Sequence, residues 1–133
     1  MTLAPIAYLD SSALVKLVVD EPESAPLRAE LAGWSRFVSS ALARTEVVRA
    51  AAQRGSLARR TAAWLLRTLE LVSVTDEILE AATEVGPADL SSLDAIHLAS
   101  ALSLGDALGA VVTYDRRLGD AARGAGLAVL SPA

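Results

Sequence analysis

Residues 8–17 read YLDSSALVKL. The apolar run that begins at Ile6 stops abruptly at Asp10, two serines follow, and the chain turns apolar again. A short apolar run bounded in this way reads as a buried strand feeding a helix. Asp10 is then either the cap that starts the helix, a position aspartate favours, or a charge placed at a strand's end to do chemistry.

The pattern repeats outward from this stretch. Strands are expected at 6–9, 37–39, 71–74, 110–114 and 127–130. Helices are expected at 12–18, 23–33, 41–54, 57–69, 76–85, 92–104 and 116–124. Buried strands separated by helices require parallel crossovers, which predicts a three-layer α/β/α sandwich with a central, mostly parallel sheet. EPES at 21–24 reads as a helix start, RGS at 54–56 breaks one helical stretch into a hairpin, and GAGL at 124–127 ends the last helix on glycine. No repeat, low-complexity tract or linker interrupts residues 1–133, so a single domain is expected.

Apolar residues make up 53% of the 133 residues, and 27 of them are alanine, as suits a soluble protein with helices of small side chains. The absence of cysteine removes disulfides, thiolate zinc sites and a cysteine nucleophile, and fits a cytoplasmic location. His97 is the sole histidine, which excludes a multi-histidine metal site. No segment has the length and apolarity of a membrane span, and the N-terminus lacks a signal-peptide pattern. The net charge of −4 argues against a generic nucleic-acid binder, but its distribution is uneven. From Arg44 to Arg67 there are six arginines and one acid, Glu46.

Four acids stand apart from the rest. Asp10 and Asp115 each close a predicted strand, and ligands of open parallel sheets gather at the carboxyl ends of strands. Glu46 sits one turn into the helix after RFVSS, and Asp94 lies in SSLDAIHLASAL, which is apolar nearly all round and therefore buried. Each has an ordinary reading: caps for Asp10 and Asp115, a first-turn acid for Glu46, and a residue behind a serine cap for Asp94. Their joint placement on one edge points further. Carboxylates about 5 Å apart repel by roughly 3 kcal/mol per pair at an effective dielectric near 20. Such a cluster takes up protons or binds a cation, and an all-oxygen set favours Mg²⁺ or Mn²⁺. Ions held this way suit phosphodiester hydrolysis, with Ser12 and Thr113 as hydroxyls that orient the acids or their waters.

The blocks YLDSSALVKLVVDEPES, RTEVVRA, SLDAIHLASAL and VVTYDRRLGDAARGAGLAVL resemble, in order and spacing, the PIN-domain ribonucleases of the VapC toxin family. The resemblance spans essentially the whole chain. It implies an α/β/α sandwich and a Mg²⁺- or Mn²⁺-dependent endoribonuclease that cuts structured RNA, often transfer RNA. The family's motif acids fall on Asp10, Glu46, Asp94 and Asp115, and its supporting hydroxyls on Ser12 and Thr113. It further implies a homodimer and a cognate VapB-like antitoxin that inhibits the toxin and carries the complex to operator DNA. Ser91 stands where many relatives carry arginine, which removes a basic side chain from that place.

Other features carry weaker readings. Arg116, next to Asp115, is a candidate substrate contact. His97 is expected to be a satisfied core residue, and Asp120 is a marginal metal-side acid. A dehalogenase-like phosphoryl-transfer enzyme wants a second acid two residues after Asp10, where Ser12 stands. A receiver domain needs a lysine late in the chain, and the only lysine is Lys16. A catalytically silent domain that only binds its antitoxin is the non-enzymatic alternative.

Overall fold

The computed structural model describes residues 3–133. Its elements alternate as β1 (Ile6–Leu9), α1 (Ser11–Val18), α2 (Ser24–Leu31), β2 (Arg36–Ser40), α3 (Ala43–Ala52), α4 (Ser56–Arg67), β3 (Glu70–Val72), α5 (Asp76–Ala82), α6 (Ser92–Leu102), a 3₁₀ turn (Gly105–Ala107), β4 (Leu108–Val112), α7 (Arg116–Gly124) and β5 (Val129–Leu130). The five strands form one sheet in the order β3-β2-β1-β4-β5, and every pairing is parallel. This is the expected α/β architecture.

Side chains alternate across β1 and so define the layers. Ala7 and Leu9 join Leu14, Leu27, Val47 and Leu66 from α1–α4 on one face. Ile6 and Tyr8 join Leu98, Leu118 and Ala122 from α6 and α7 on the other. Because both faces are covered, all four residues of β1 are buried, which is why its sequence is continuously apolar rather than alternating. Among the described residues no helix is long and apolar enough to cross a membrane.

Several boundaries differ from the sequence reading, for local reasons. Strand β4 runs from Leu108 to Val112, two residues earlier than expected. The Thr113 amide still donates to the Leu130 carbonyl (3.1 Å), but the two after it turn to side chains: Tyr114 N–H donates to Ser12 Oγ (2.9 Å) and Asp115 N–H to Thr113 Oγ1 (3.0 Å). Strand β4 starts early because Gly109 lets Pro5 and Trp34 lie directly against the strand. Strand β5 begins only at Val129, since the Leu127 amide returns to the carbonyl of Ala122 (3.0 Å) and closes the end of α7. Strand β3 ends at Val72 rather than 74, and most helices stop a residue or more short of the expected ends. The α3–α4 break at Gly55 (φ 114°) and the turn at Gly126 (φ 85°) fall at the expected glycines, both in backbone conformations that L-residues rarely adopt.

A Cβ on residue 109 would lie 2.7 Å from both Pro5 Cβ and Trp34 Cζ3, whereas one on Gly124 would meet nothing within 4 Å. Gly109→Ala is therefore expected to cost about 1–3 kcal/mol through overpacking, and Gly124→Ala to cost nothing by comparison. Paired thermal melts of the two variants check this; equal melting temperatures would refute the close packing at Gly109.

Candidate active site

The chain builds β1, β2 and β3 in sequence and then crosses to the other side of β1 for β4. The carboxyl ends of β1 and β4 therefore flank the point where strand order reverses, the place where open parallel sheets bind ligands. The register pairs Leu9 with Val112, so Asp10 and Thr113 emerge side by side. Asp10 N–H still donates to the Val112 carbonyl (3.2 Å) and holds the two strand ends together.

Asp10 is 3% exposed. Its Oδ1 accepts from the Ala13 amide (3.0 Å) and from Ser12 Oγ (2.7 Å), and its Oδ2 accepts from Thr113 Oγ1 (2.6 Å). Both hydroxyls also accept a backbone amide, from Tyr114 and Asp115. Each hydroxyl has only one proton to donate, so both are directed at the carboxylate. Asp10 is thus the cap of α1 and a triply bonded anion at the same time. Burial nevertheless raises its pKa above the usual carboxylate range, with Thr113, Ser12 and Ala13 opposing the shift.

Asp115 caps α7 by accepting the amides of Arg117 (2.9 Å) and Leu118 (3.1 Å) through Oδ1. Asp94 lies at the third position of α6, behind the Ser91 cap that accepts its amide (3.2 Å). Partial burial raises the Asp94 pKa, and the charges of Asp115 and, more weakly, Asp10 raise it further. The structure therefore brings Asp10, Asp94 and Asp115 within electrostatic reach on one edge.

Glu46 is in the first turn of α3 and enters from the α1 side. Its Oε1 accepts from His97 Nε2 (2.7 Å) and from Ser11 Oγ. Burial pushes its pKa up, but the bonds from His97 and Ser11 outweigh this and leave it below the usual range. A carboxylate only accepts, so His97 Nε2 carries a proton; in the neutral ring Nδ1 then accepts from Tyr8 OH at 2.8 Å. Burial pushes the Tyr8 pKa up, which keeps that hydroxyl a donor.

Three side chains here were not singled out for the site by their sequence. His97 is buried with both ring nitrogens bonded, as a core histidine should be, yet one bond goes to Glu46. Its place one turn from Asp94, polar on an apolar helix, was the available signal. Ser11 holds Glu46 while Ser12 holds Asp10, so the two adjacent serines serve different acids. Tyr8 is the inward member of an apolar strand and carried no such signal. Arg116 is exposed and lines an open cavity of about 470 Å³ with Tyr114, Asp115 and Arg123. Asp120 lines the same cavity and pairs with Arg123 (3.4 Å) on the solvent side.

Among the described residues no three acids or histidines close on a single point as a ready-made metal cage. The donor chemistry still fits a hard divalent cation. The edge presents only oxygen donors, carboxylates and hydroxyls, because both nitrogens of the one histidine are engaged. Burial raises the pKa of Asp10 and Asp94, a desolvation cost of the charged form that a bound cation would offset.

The sequence of residues 7–124 matches the PIN domain. Over 125 residues the chain is 50% identical to Ribonuclease VapC46 of Mycobacterium tuberculosis, which covers 94% of this chain and 96% of that one. The chain belongs to the VapC ribonucleases of the PIN-domain family. Ribonuclease VapC47 of the same organism is 40% identical over 130 residues, with the same coverage. The VapC fold is likewise that of Mycobacterium tuberculosis VapC20, described as a Sarcin-Ricin loop cleaving toxin, with a TM-score of 0.77 at 18% identity over 95% of this chain and 99% of that one. A chain of a toxin–antitoxin complex from Klebsiella pneumoniae aligns with a TM-score of 0.70 at 21% identity, covering 96% and 98%. Membership of the VapC family makes this chain a ribonuclease of the toxin–antitoxin class.

The raised pKa of Asp10 has a consequence for stability. A group whose folded pKa exceeds its unfolded value contributes stability below the unfolded pKa, and that contribution is lost as pH rises through the folded value. Removing the charge relieves this loss. The stability of Asp10→Asn relative to the wild type, without added metal, is expected to increase as pH rises from about 4 through the raised value. Denaturant titrations across that range measure it; a difference independent of pH would show that the buried carboxylate is not strained.

Proposed function

We propose that this VapC chain is a Mg²⁺- or Mn²⁺-dependent endoribonuclease that hydrolyses phosphodiester bonds in structured RNA such as transfer RNA. Asp10, Asp94 and Asp115 would hold the ion, with Glu46 completing the acidic set. The observation that carries this reading is the buried Asp10 carboxylate at the switch point, fixed by two hydroxyls and an amide, with Asp94 within electrostatic reach of both it and Asp115. When bound, the ion would supply an acidified water and neutralise charge on the phosphate.

The residues of the chain do the rest. Ser12 and Thr113 fix the Asp10 rotamer, so that carboxylate need not reorganise when the substrate arrives. His97 and Ser11 keep Glu46 ionised and aimed, which suits holding a cation or orienting a water better than taking up a proton. Arg116 stands beside Asp115 at the open side, where it can meet a substrate phosphate. No side chain is needed as a nucleophile, consistent with a chain that has no cysteine and whose serines here are bonded to carboxylates.

The proposed setting follows from the family. A small VapB-like antitoxin would inhibit the toxin and link it to operator DNA, and the toxin would act in the cytoplasm as a homodimer. The membership of a toxin–antitoxin complex among the structural neighbours supports the antitoxin partner.

The deciding experiment gives purified, antitoxin-free protein Mg²⁺ or Mn²⁺ and host RNA, and sequences the ends produced. Discrete cleavage is expected from the wild type and none from Asp10→Asn; absence of cleavage by the wild type refutes the proposal. A subtler outcome concerns the histidine. His97→Gln should reduce cleavage about 10- to 100-fold, as loss of groups that orient ligands does, with the secondary structure unchanged by circular dichroism. Full activity in that variant would show that the aim of Glu46 does not matter.

A further inference from the structure

Helix α4 exposes an aromatic side chain between two cations. Trp64 is 66% exposed, against a half-buried Trp34, and Arg60 and Arg67 are exposed as well. The three stand at i, i+4 and i+7, which places them along one face of the helix. A tryptophan left in water on a helix whose inner face is well packed by Ala62 and Leu66 is not needed for the core. Arg44, Arg49, Arg54 and Arg59 add to the same hairpin, and among the described residues none of its six arginines is paired with a carboxylate. The hairpin is therefore an uncompensated cationic surface on a protein of net charge −4.

We infer that the outer face of α4 is a platform for an unpaired stretch of the RNA substrate, with a base stacked on Trp64 and flanking phosphates held by Arg60 and Arg67. This inference rests on the ribonuclease reading and names where the substrate lies outside the carboxylate edge. The complementarity is specific. Every base offers a π-face, and base–aromatic stacking combined with guanidinium contacts is the general mode of single-strand binding. Seven residues of helix span roughly 10 Å, which sets the two guanidinium groups on either side of the indole along the helix axis. Continuity with the site comes from α3, which packs against α4 and carries Glu46 in its first turn. At the base of the hairpin, Arg44 and Arg67 line a cavity of about 260 Å³ with Val48, Ala63 and Leu66. The two ends of the hairpin thus meet beside α3, the helix whose first turn carries Glu46.

The test measures binding without cleavage, in EDTA, by anisotropy of a labelled, unstructured RNA of about 12 nucleotides and of its duplex. The single strand should bind the wild type more tightly than the duplex does. Trp64→Ala should weaken single-strand binding about tenfold or more and leave duplex binding unchanged, while Trp64→Phe should keep most of the affinity. Replacing Arg60 and Arg67 by Gln should reduce the slope of log affinity against log salt by roughly 1.4, two phosphate contacts at about 0.7 each. Equal single-strand affinity in Trp64→Ala overturns the inference. If that variant instead loses self-association or capture of the purified antitoxin, the face belongs to a protein partner. Cleavage of host RNA with Mn²⁺ separates the two readings: cleavage with Trp64-independent binding sinks the platform alone, and Trp64-dependent binding without cleavage of host RNA sinks the nuclease alone.

Discussion

The hydrogen bond from Thr113 to Asp10 joins the ends of the two strands between which the chain changes direction in the sheet. Much of the candidate site depends on it. Thr113 directs its only proton at Asp10 and receives the amide of Asp115, so one hydroxyl links two of the acids. Ser12 does the same from the other side, donating to Asp10 and receiving the amide of Tyr114. The end of β4 and the start of α7 are in this way tied to the first turn of α1. A change at either hydroxyl alters both the carboxylate and the backbone that presents its neighbour.

The fold was largely legible because its signals are local. A strand buried on both faces reads as an unbroken apolar run, and IAYL and GAVV do so. Helix starts were legible where a polar residue precedes an apolar stretch, as at Asp10, Ser91 and Asp115, and each of these accepts the amide expected of a cap. What blurred the edges was competition from distant residues. The sequence near Val112 does not reveal that Ser12, about a hundred positions earlier, takes the amide of Tyr114. Nor does Gly109 disclose that Pro5 and Trp34 occupy the place of its missing side chain.

The candidate site divides along the same line. Asp10 and Asp115 could be placed from strand ends alone, and Asp94 from its incongruity on an apolar helix. The company Glu46 keeps could not. Its partner His97 is 51 positions away and on the opposite layer, and His97 is in turn held by Tyr8 from the sheet between them. Each contact crosses the sheet edge, and no periodicity encodes it. Read singly, His97 and Tyr8 look like core residues, and they are buried as such; their polar atoms are nonetheless spent on a chain that ends at a carboxylate.

A cluster of acids at one place would be expected to repel itself apart, and the polarity of the fold opposes this. In a parallel sheet every strand ends on the same edge, and the helices that follow β1, β2 and β4 all begin there. Helix α6 leads into the start of β4, so it runs against the strands and also begins on that edge. Asp10 and Asp115 are the caps of α1 and α7, while Glu46 and Asp94 lie in the first turns of α3 and α6. Each acid therefore faces the positive end of a helix dipole, worth about half a charge. Four such ends offset part of four negative charges without any counter-ion. Burial raises the pKa of Asp10 and Asp94, and at Asp94 the charges of Asp115 and Asp10 add to the shift. The same topology that gathers the acids also lowers the cost of gathering them, and leaves a residual negative charge for which a divalent cation is the natural complement.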